Sequence, residues 1–115
     1  MEPAQARELL ARERARVERA LADLAEREGR DELADYDQHP ADTATELFDE
    51  ELHEGLAEQL REELAAIERA EERLRNGTYG LSVESGKPIP DERLKVIPWA
   101  ERTVEEQERY ERSIR

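Results

Sequence analysis

The sequence predicts a mainly α protein: a long antiparallel two-helix coiled-coil hairpin over residues 1–76, then a small module over 77–115 that ends in a helix. Three observations carry this. Apolar residues recur at heptad-like spacing through two long stretches rich in Ala, Glu, Leu and Arg. A short turn-forming string, Tyr36-Asp37-Gln38-His39-Pro40-Ala41-Asp42, separates the two. Past Asn76 the pattern breaks repeatedly, at Gly77, Gly80, Gly86, Pro88, Pro90 and Pro98. With 43% charged, 37% hydrophobic and only 4% aromatic residues, the chain has a composition that suits either disorder or charge-laced helices, and the periodicity decides for helices.

The first helix is expected over residues 3–34. Pro3 suits a first-turn position. Leu10, Val17 and Leu24 recur at seven, with Leu9 and Leu21 filling the stripe. Gly29 is its weak point, at about 1 kcal/mol against Ala. Pro40 pushes His39 out of helical conformation and makes a turn there. A second helix starts near Asp42 or Thr43, where Thr43 and Glu46 have capping-box spacing and Asp42 is an alternative N-cap. Its stripe is Leu47, Phe48, Leu52, Leu56, Leu60, Leu64, Ile67 and Leu74, with Ala70 near the seam, and Asn76-Gly77 ends it. Two helices of similar length joined by a short turn fold back on each other. At about 1.5 Å per residue each arm is roughly 45–50 Å long.

In the last third, Ser85-Gly86 lies between two short stretches, Tyr79–Val83 and Lys87–Ile89, the pattern of a small hairpin. Asp91–Lys95 reads as one helical turn. A final helix starts at Thr103, with Val104, Tyr110 and Ile114 expected to face inward.

Charge is unevenly placed. The net charge of −13 contains eleven acids between Asp31 and Glu58, and no lysine or arginine occurs between Arg30 and Arg61. A bland helical surface mixes signs to gain i,i+4 pairs, as the rest of this chain does. The acidic stretch therefore reads as an interaction element at the hairpin tip. Such a protein gains nothing from counterion release on DNA, which argues against direct nucleic-acid binding and for a basic protein partner. There is no cysteine, no basic-then-apolar leader and no membrane-length apolar run, so a cytoplasmic protein is expected. No cysteine nucleophile, Gly-rich phosphate loop or supported Ser/His/Asp set is present, so no enzyme and no cofactor are expected. His39 and His53, on a turn and a helix, read as surface residues rather than a metal pair.

The C-terminal third carries a specific resemblance. Tyr79, Gly80, Gly86, Ile89, Pro90, Arg93, Leu94, Pro98, Ala100 and Gln107 match the scaffold of the DksA/TraR C4-type zinc finger, roughly Y-G-x-C-x-x-C-G-x-x-I-P-x-x-R-L and then P-x-A-x-x-C-x-x-C-Q. Ser82, Ser85, Thr103 and Glu106 stand at the four cysteine positions, so the module resembles a degenerate, metal-free zinc finger. Its donor set holds no thiol, and one carboxylate does not hold zinc. Thr103 and Glu106 have the spacing of a capping box for the last helix. Ser82 and Ser85 suit hydroxyl-to-backbone bonds across the opposite turn. Such bonds contribute about 1 kcal/mol each, against about 10–16 kcal/mol of apparent binding energy for a structural zinc. Packing by Trp99, Leu94, Ile89, Ile97 and Tyr79 must supply the rest.

The turn resembles the family's D-P-A-D-x-A tip through Pro40, Ala41, Asp42 and Ala44, with His39 in place of the first aspartate. The string from Tyr36 to Phe48 is similar to a YteA-like branch of the family. The resemblance covers residues 36 to about 107. It implies binding to RNA polymerase core and modulation of transcription through the secondary channel. On that reading Asp42 and Ala44 contact the polymerase, Asp37 partly replaces the lost acid, and His39 marks the altered tip. The competing expectation is a non-catalytic acidic coiled-coil adaptor that no longer acts on polymerase.

Overall fold

The computed structural model describes residues 1–34 and 43–114, with side chains described at 1–27 and 51–114. Four helices appear among them: α1 (Pro3–Ala34), α2 (Thr43–Asn76), α3 (Asp91–Val96) and α4 (Val104–Ser113). The mainly α class, the antiparallel two-helix hairpin and the small C-terminal module are as the sequence predicts. α1 runs unbroken through Gly29. The expected tip residues Asp37, His39 and Asp42 lie outside the described residues. Ala44 lies in the first turn of α2, and its side chain, like those of Leu47 and Phe48, lies outside them too.

The chain forms two compact units. One comprises Met1–Arg14 with Ala65–Arg115, the other Ala15–Leu64. In the first an early stretch of α1 runs antiparallel to a late stretch of α2, and in the second a late stretch of α1 runs antiparallel to an early stretch of α2. In the first unit Arg14 bonds Glu71 and lies 3.6 Å from Glu68. Ala6, Leu10, Ala66, Ile67 and Ala70 are buried there. In the second, Arg16 bonds Glu63 at 3.2 Å, and Val17, Leu24 and Ala57 are buried. Thus α1 places Leu10, Val17 and Leu24 in a heptad seam, with Leu9 and Leu21 only half-buried beside it.

The expected stripe on α2 needs correction. Leu52 and Leu56 are 53% and 43% exposed, and alanines take much of the seam. The cause is geometric. A strict four-residue repeat advances about 40° around a 3.6-residue helix at each step. The row Leu52–Leu56–Leu60–Leu64 therefore starts on the outer face and reaches the seam only at its half-buried end. Gly55 sits in that outer stretch, where an added Cβ would meet nothing within 4 Å. A mid-helix glycine costs about 0.8–1 kcal/mol against alanine.

α2 ends as Asn76-Gly77 predicts. Gly77 takes a φ of 79°, Thr78 N–H donates to Arg73 O at 2.9 Å and Gly77 N–H to Leu74 O at 3.4 Å. This paired closure satisfies the last carbonyls of the helix. The expected hairpin at Tyr79–Ile89 is reduced to one isolated antiparallel bridge, Leu81 with Pro88, because Pro88 and Pro90 remove ladder donors. Its turn is closed by Ser82 N–H to Lys87 O at 2.8 Å and Gly86 N–H to Ser82 O at 3.0 Å, with Gly86 at a φ of 73°.

The core of the C-terminal module is Ile89, Leu94 and Ala100, with Met1, Tyr79 and Ile97 packed on it. Trp99, expected among these, is instead half-buried at the edge. Val104, Tyr110 and Ile114 are exposed rather than inward-facing. α4 turns its capped first turn, not its apolar residues, toward the module: Glu106 is its buried residue. Tyr110 is covered on one face by the Arg102 guanidinium, 3.9 Å from the ring centroid.

Candidate functional site

The four positions Ser82, Ser85, Thr103 and Glu106 come together. Thr103 is the N-cap of α4, with extended backbone. Its N–H donates to Glu106 Oε1 at 2.9 Å, while Glu106 N–H donates to Thr103 Oγ1 at 3.3 Å, a complete capping box. From the facing turn, the Ser82 hydroxyl oxygen accepts from the N–H groups of Glu84 and Ser85, at 3.1 and 3.2 Å. The Ser85 hydroxyl accepts from Lys87 N–H at 3.3 Å. The Ser82 and Ser85 hydroxyls also stand close enough to the Glu106 carboxylate to favour its charged form.

Glu106 is therefore the centre of the cluster. Its residue is 5% exposed. The Thr103 backbone N–H, and next the Ser82 hydroxyl, hold the carboxyl at about 2, well below its ordinary 4.5, while burial works against them. A charged acceptor meeting several donors makes strong hydrogen bonds. Thr103→Ala removes one of the two capping bonds. It should cost about 0.5–2 kcal/mol in denaturant unfolding, with no change in m-value.

Around this cluster, longer-range bonds tie the module together. Val83 N–H donates to Glu101 O at 2.9 Å, and Arg93 Nε to Arg102 O at 2.9 Å. Tyr79 donates its hydroxyl proton to Pro98 O at 2.8 Å, and burial pushes its phenol pKa up. Glu101 accepts from Arg69 Nε and Nη2 at 3.0 and 2.7 Å, joining the module to the end of α2. Arg73 lies 3.7 Å from the same carboxylate. Its Nε and Nη2 are buried without a hydrogen-bond partner among the described residues, and burial lowers its pKa. This arginine–glutamate network was not read from the sequence: Arg69 and Glu101 are 32 residues apart, and nothing in their spacing pairs them.

The same module holds a cavity of about 410 Å³ beside Trp99, lined also by Arg69, Arg93, Arg102 and Tyr110. All three arginines are already engaged there, Arg102 by Glu84 at 2.9 Å.

Comparison with known proteins places these features. Residues 77–112 match the model of the prokaryotic dksA/traR C4-type zinc finger. The chain is 48% identical over 69 residues to YteA of Bacillus subtilis, covering 60% of this chain and 29% of YteA. The solved structure of transcription factor DksA2 from Pseudomonas aeruginosa matches with a TM-score of 0.79 at 29% identity, over 96% of this chain and 84% of that one. The chain is thus similar to DksA/TraR proteins in its finger and in its backbone. Another relative, the RNA polymerase-binding transcription factor DksA of Caulobacter vibrioides, is 37% identical over 75 residues, 65% of this chain and 53% of that protein. Matches to the curated relatives thus span about a third to a half of their length.

The matched finger is of the four-cysteine type, and this chain has no cysteine. The residues present do not fit zinc. Hydroxyls stay protonated near neutral pH, and the one carboxylate among the four is occupied by donors. Among the described residues no group of three His, Cys, Asp or Glu could hold a metal, and no helix is long and apolar enough to cross a membrane.

Proposed function

We propose that this chain is a DksA/TraR-type protein that binds RNA polymerase and modulates transcription through the secondary channel. The backbone match to DksA2 across nearly the whole chain carries the reading. The name of the Caulobacter relative, an RNA polymerase-binding factor, and the eleven acids between Asp31 and Glu58 support it. The C-terminal module supplies docking surface, and the tip residues Asp37, His39, Asp42 and Ala44 reach the polymerase interior. In this reading Ser82, Ser85, Thr103 and Glu106 keep the role of the lost metal ligands: they hold the finger closed so that the docking surface keeps its shape.

The rival is an acidic adaptor that no longer acts on polymerase. One experiment separates them. Asp42→Asn should leave folding within about 1 kcal/mol, the cost of a lost cap at most. It should abolish the wild-type effect in a purified polymerase transcription assay while binding to core polymerase survives. A variant that regulates as well as wild type, or a wild type that does not co-purify with core polymerase, favours the adaptor.

A further inference from the structure

Asn76 is the sole asparagine of the chain, and Gly77 follows it. The pair closes α2, and both residues are exposed. Asparagine before glycine is the dipeptide most prone to cyclise, because a glycine nitrogen can reach the preceding carboxamide without a side chain in the way. Here that nitrogen is weakly held. Gly77 N–H reaches Leu74 O at 3.4 Å, beyond the usual range of about 2.7–3.2 Å. An added Cβ at Gly77 would meet nothing within 4 Å, so the approach to its backbone is open. The short bond of the closure belongs to the next residue, Thr78 N–H to Arg73 O at 2.9 Å. Fraying helix ends open at almost no cost in free energy.

We propose that Asn76 is a spontaneous modification site of the folded protein, and that its isoaspartyl product loosens the C-terminal module. The Gly77 backbone nitrogen gives up its proton and attacks the Asn76 side-chain carbonyl carbon. A new carbon–nitrogen bond forms, the carboxamide bond breaks, and the amide nitrogen leaves as ammonia with that proton. Water then opens the cyclic imide. Cleavage at the side-chain carbonyl gives aspartate; cleavage at the backbone carbonyl gives isoaspartate, whose main chain runs through Cβ.

The two products differ in what they disturb. Aspartate adds a negative charge at the unfavourable end of a helix, and Arg73 and Arg75 in the same turn offset it. Isoaspartate lengthens the main chain by one carbon, which moves Thr78 N–H off Arg73 O. It also shifts Tyr79, whose hydroxyl holds Pro98 O at 2.8 Å and whose ring packs on Ile89, Leu94 and Ala100. The chemistry is the chain's own and does not depend on the polymerase reading.

The test is incubation of the full-length chain, native and guanidinium-unfolded, in mildly alkaline buffer. Conversion is followed by peptide mass mapping and by labelling with an isoaspartyl methyltransferase. Native protein should convert at Asn76 within about tenfold of the unfolded rate, as a frayed end allows. Asn76→Gln should take no label. The isoaspartyl fraction, separated by ion exchange, should melt several degrees below fresh protein, while Asn76→Asp melts close to it. Native conversion slower than the unfolded rate by about a hundredfold or more would show that the closure protects the site and overturn the proposal. An isoaspartyl fraction that melts with fresh protein would overturn the loosening of the module.

Discussion

Leu94→Ala should destabilise the C-terminal module by about 2–5 kcal/mol, the range for deleting a buried leucine side chain. Leu94 is among the largest fully buried side chains described, and the core around it is small: Ile89 and Ala100, with Met1, Tyr79 and Ile97 against it. Neighbours this few cannot collapse into the gap. The Cδ1 of Leu94 also lies over Gly80, 3.7 Å from where a Cβ would stand, so the chain packs backbone as well as side chain on this residue. Trp99 is the sole tryptophan and sits in the same module, so its fluorescence reports this unfolding directly. A loss below about 1 kcal/mol would show that the hydrogen-bond cluster, not this core, holds the module closed.

Glu106→Gln should change how stability depends on acid. The carboxyl sits at about 2 in the folded protein against an ordinary 4.5. A depressed folded pKa means the charged form stabilises the fold. Its contribution is complete above the unfolded value and is lost as pH falls from about 4.5 through about 2. Glutamine still accepts from Thr103 N–H but carries no charge. The difference in stability between wild type and variant should therefore be constant above about pH 5. It should shrink through the acid window and close near the folded pKa. Denaturant melts at a series of pH values measure it. A difference that persists undiminished to pH 2 would show that shape, not charge, makes Glu106 important.

Much of the fold was legible because helices announce themselves through local rules. The heptad of Leu10, Val17 and Leu24, the Asn76-Gly77 stop and the Thr103–Glu106 box all act within a turn or two of chain. The reading failed where a tertiary choice decided. Leu52 and Leu56 have the right hydrophobicity but the wrong azimuth, since a four-residue repeat drifts off the seam. Val104, Tyr110 and Ile114 promised an inward face, but the anchor of that helix is a carboxylate. The convergence of Ser82 and Ser85 on Glu106 followed from positions matched to cysteines in the family, since no hydroxyl pair by itself announces a site. The Arg69–Glu101 pair lacked even that signal.

The cluster that closes this finger also settles which insults it withstands. A thiolate-built finger loses its ion to chelators, and its sulfurs are open to peroxide and disulfide exchange. Three hydroxyl residues and a carboxylate offer those reagents nothing to attack. Their assembly also involves no ion to be captured during synthesis. What breaks them is the proton: the chemical sensitivity of the module is moved from oxidant to acid.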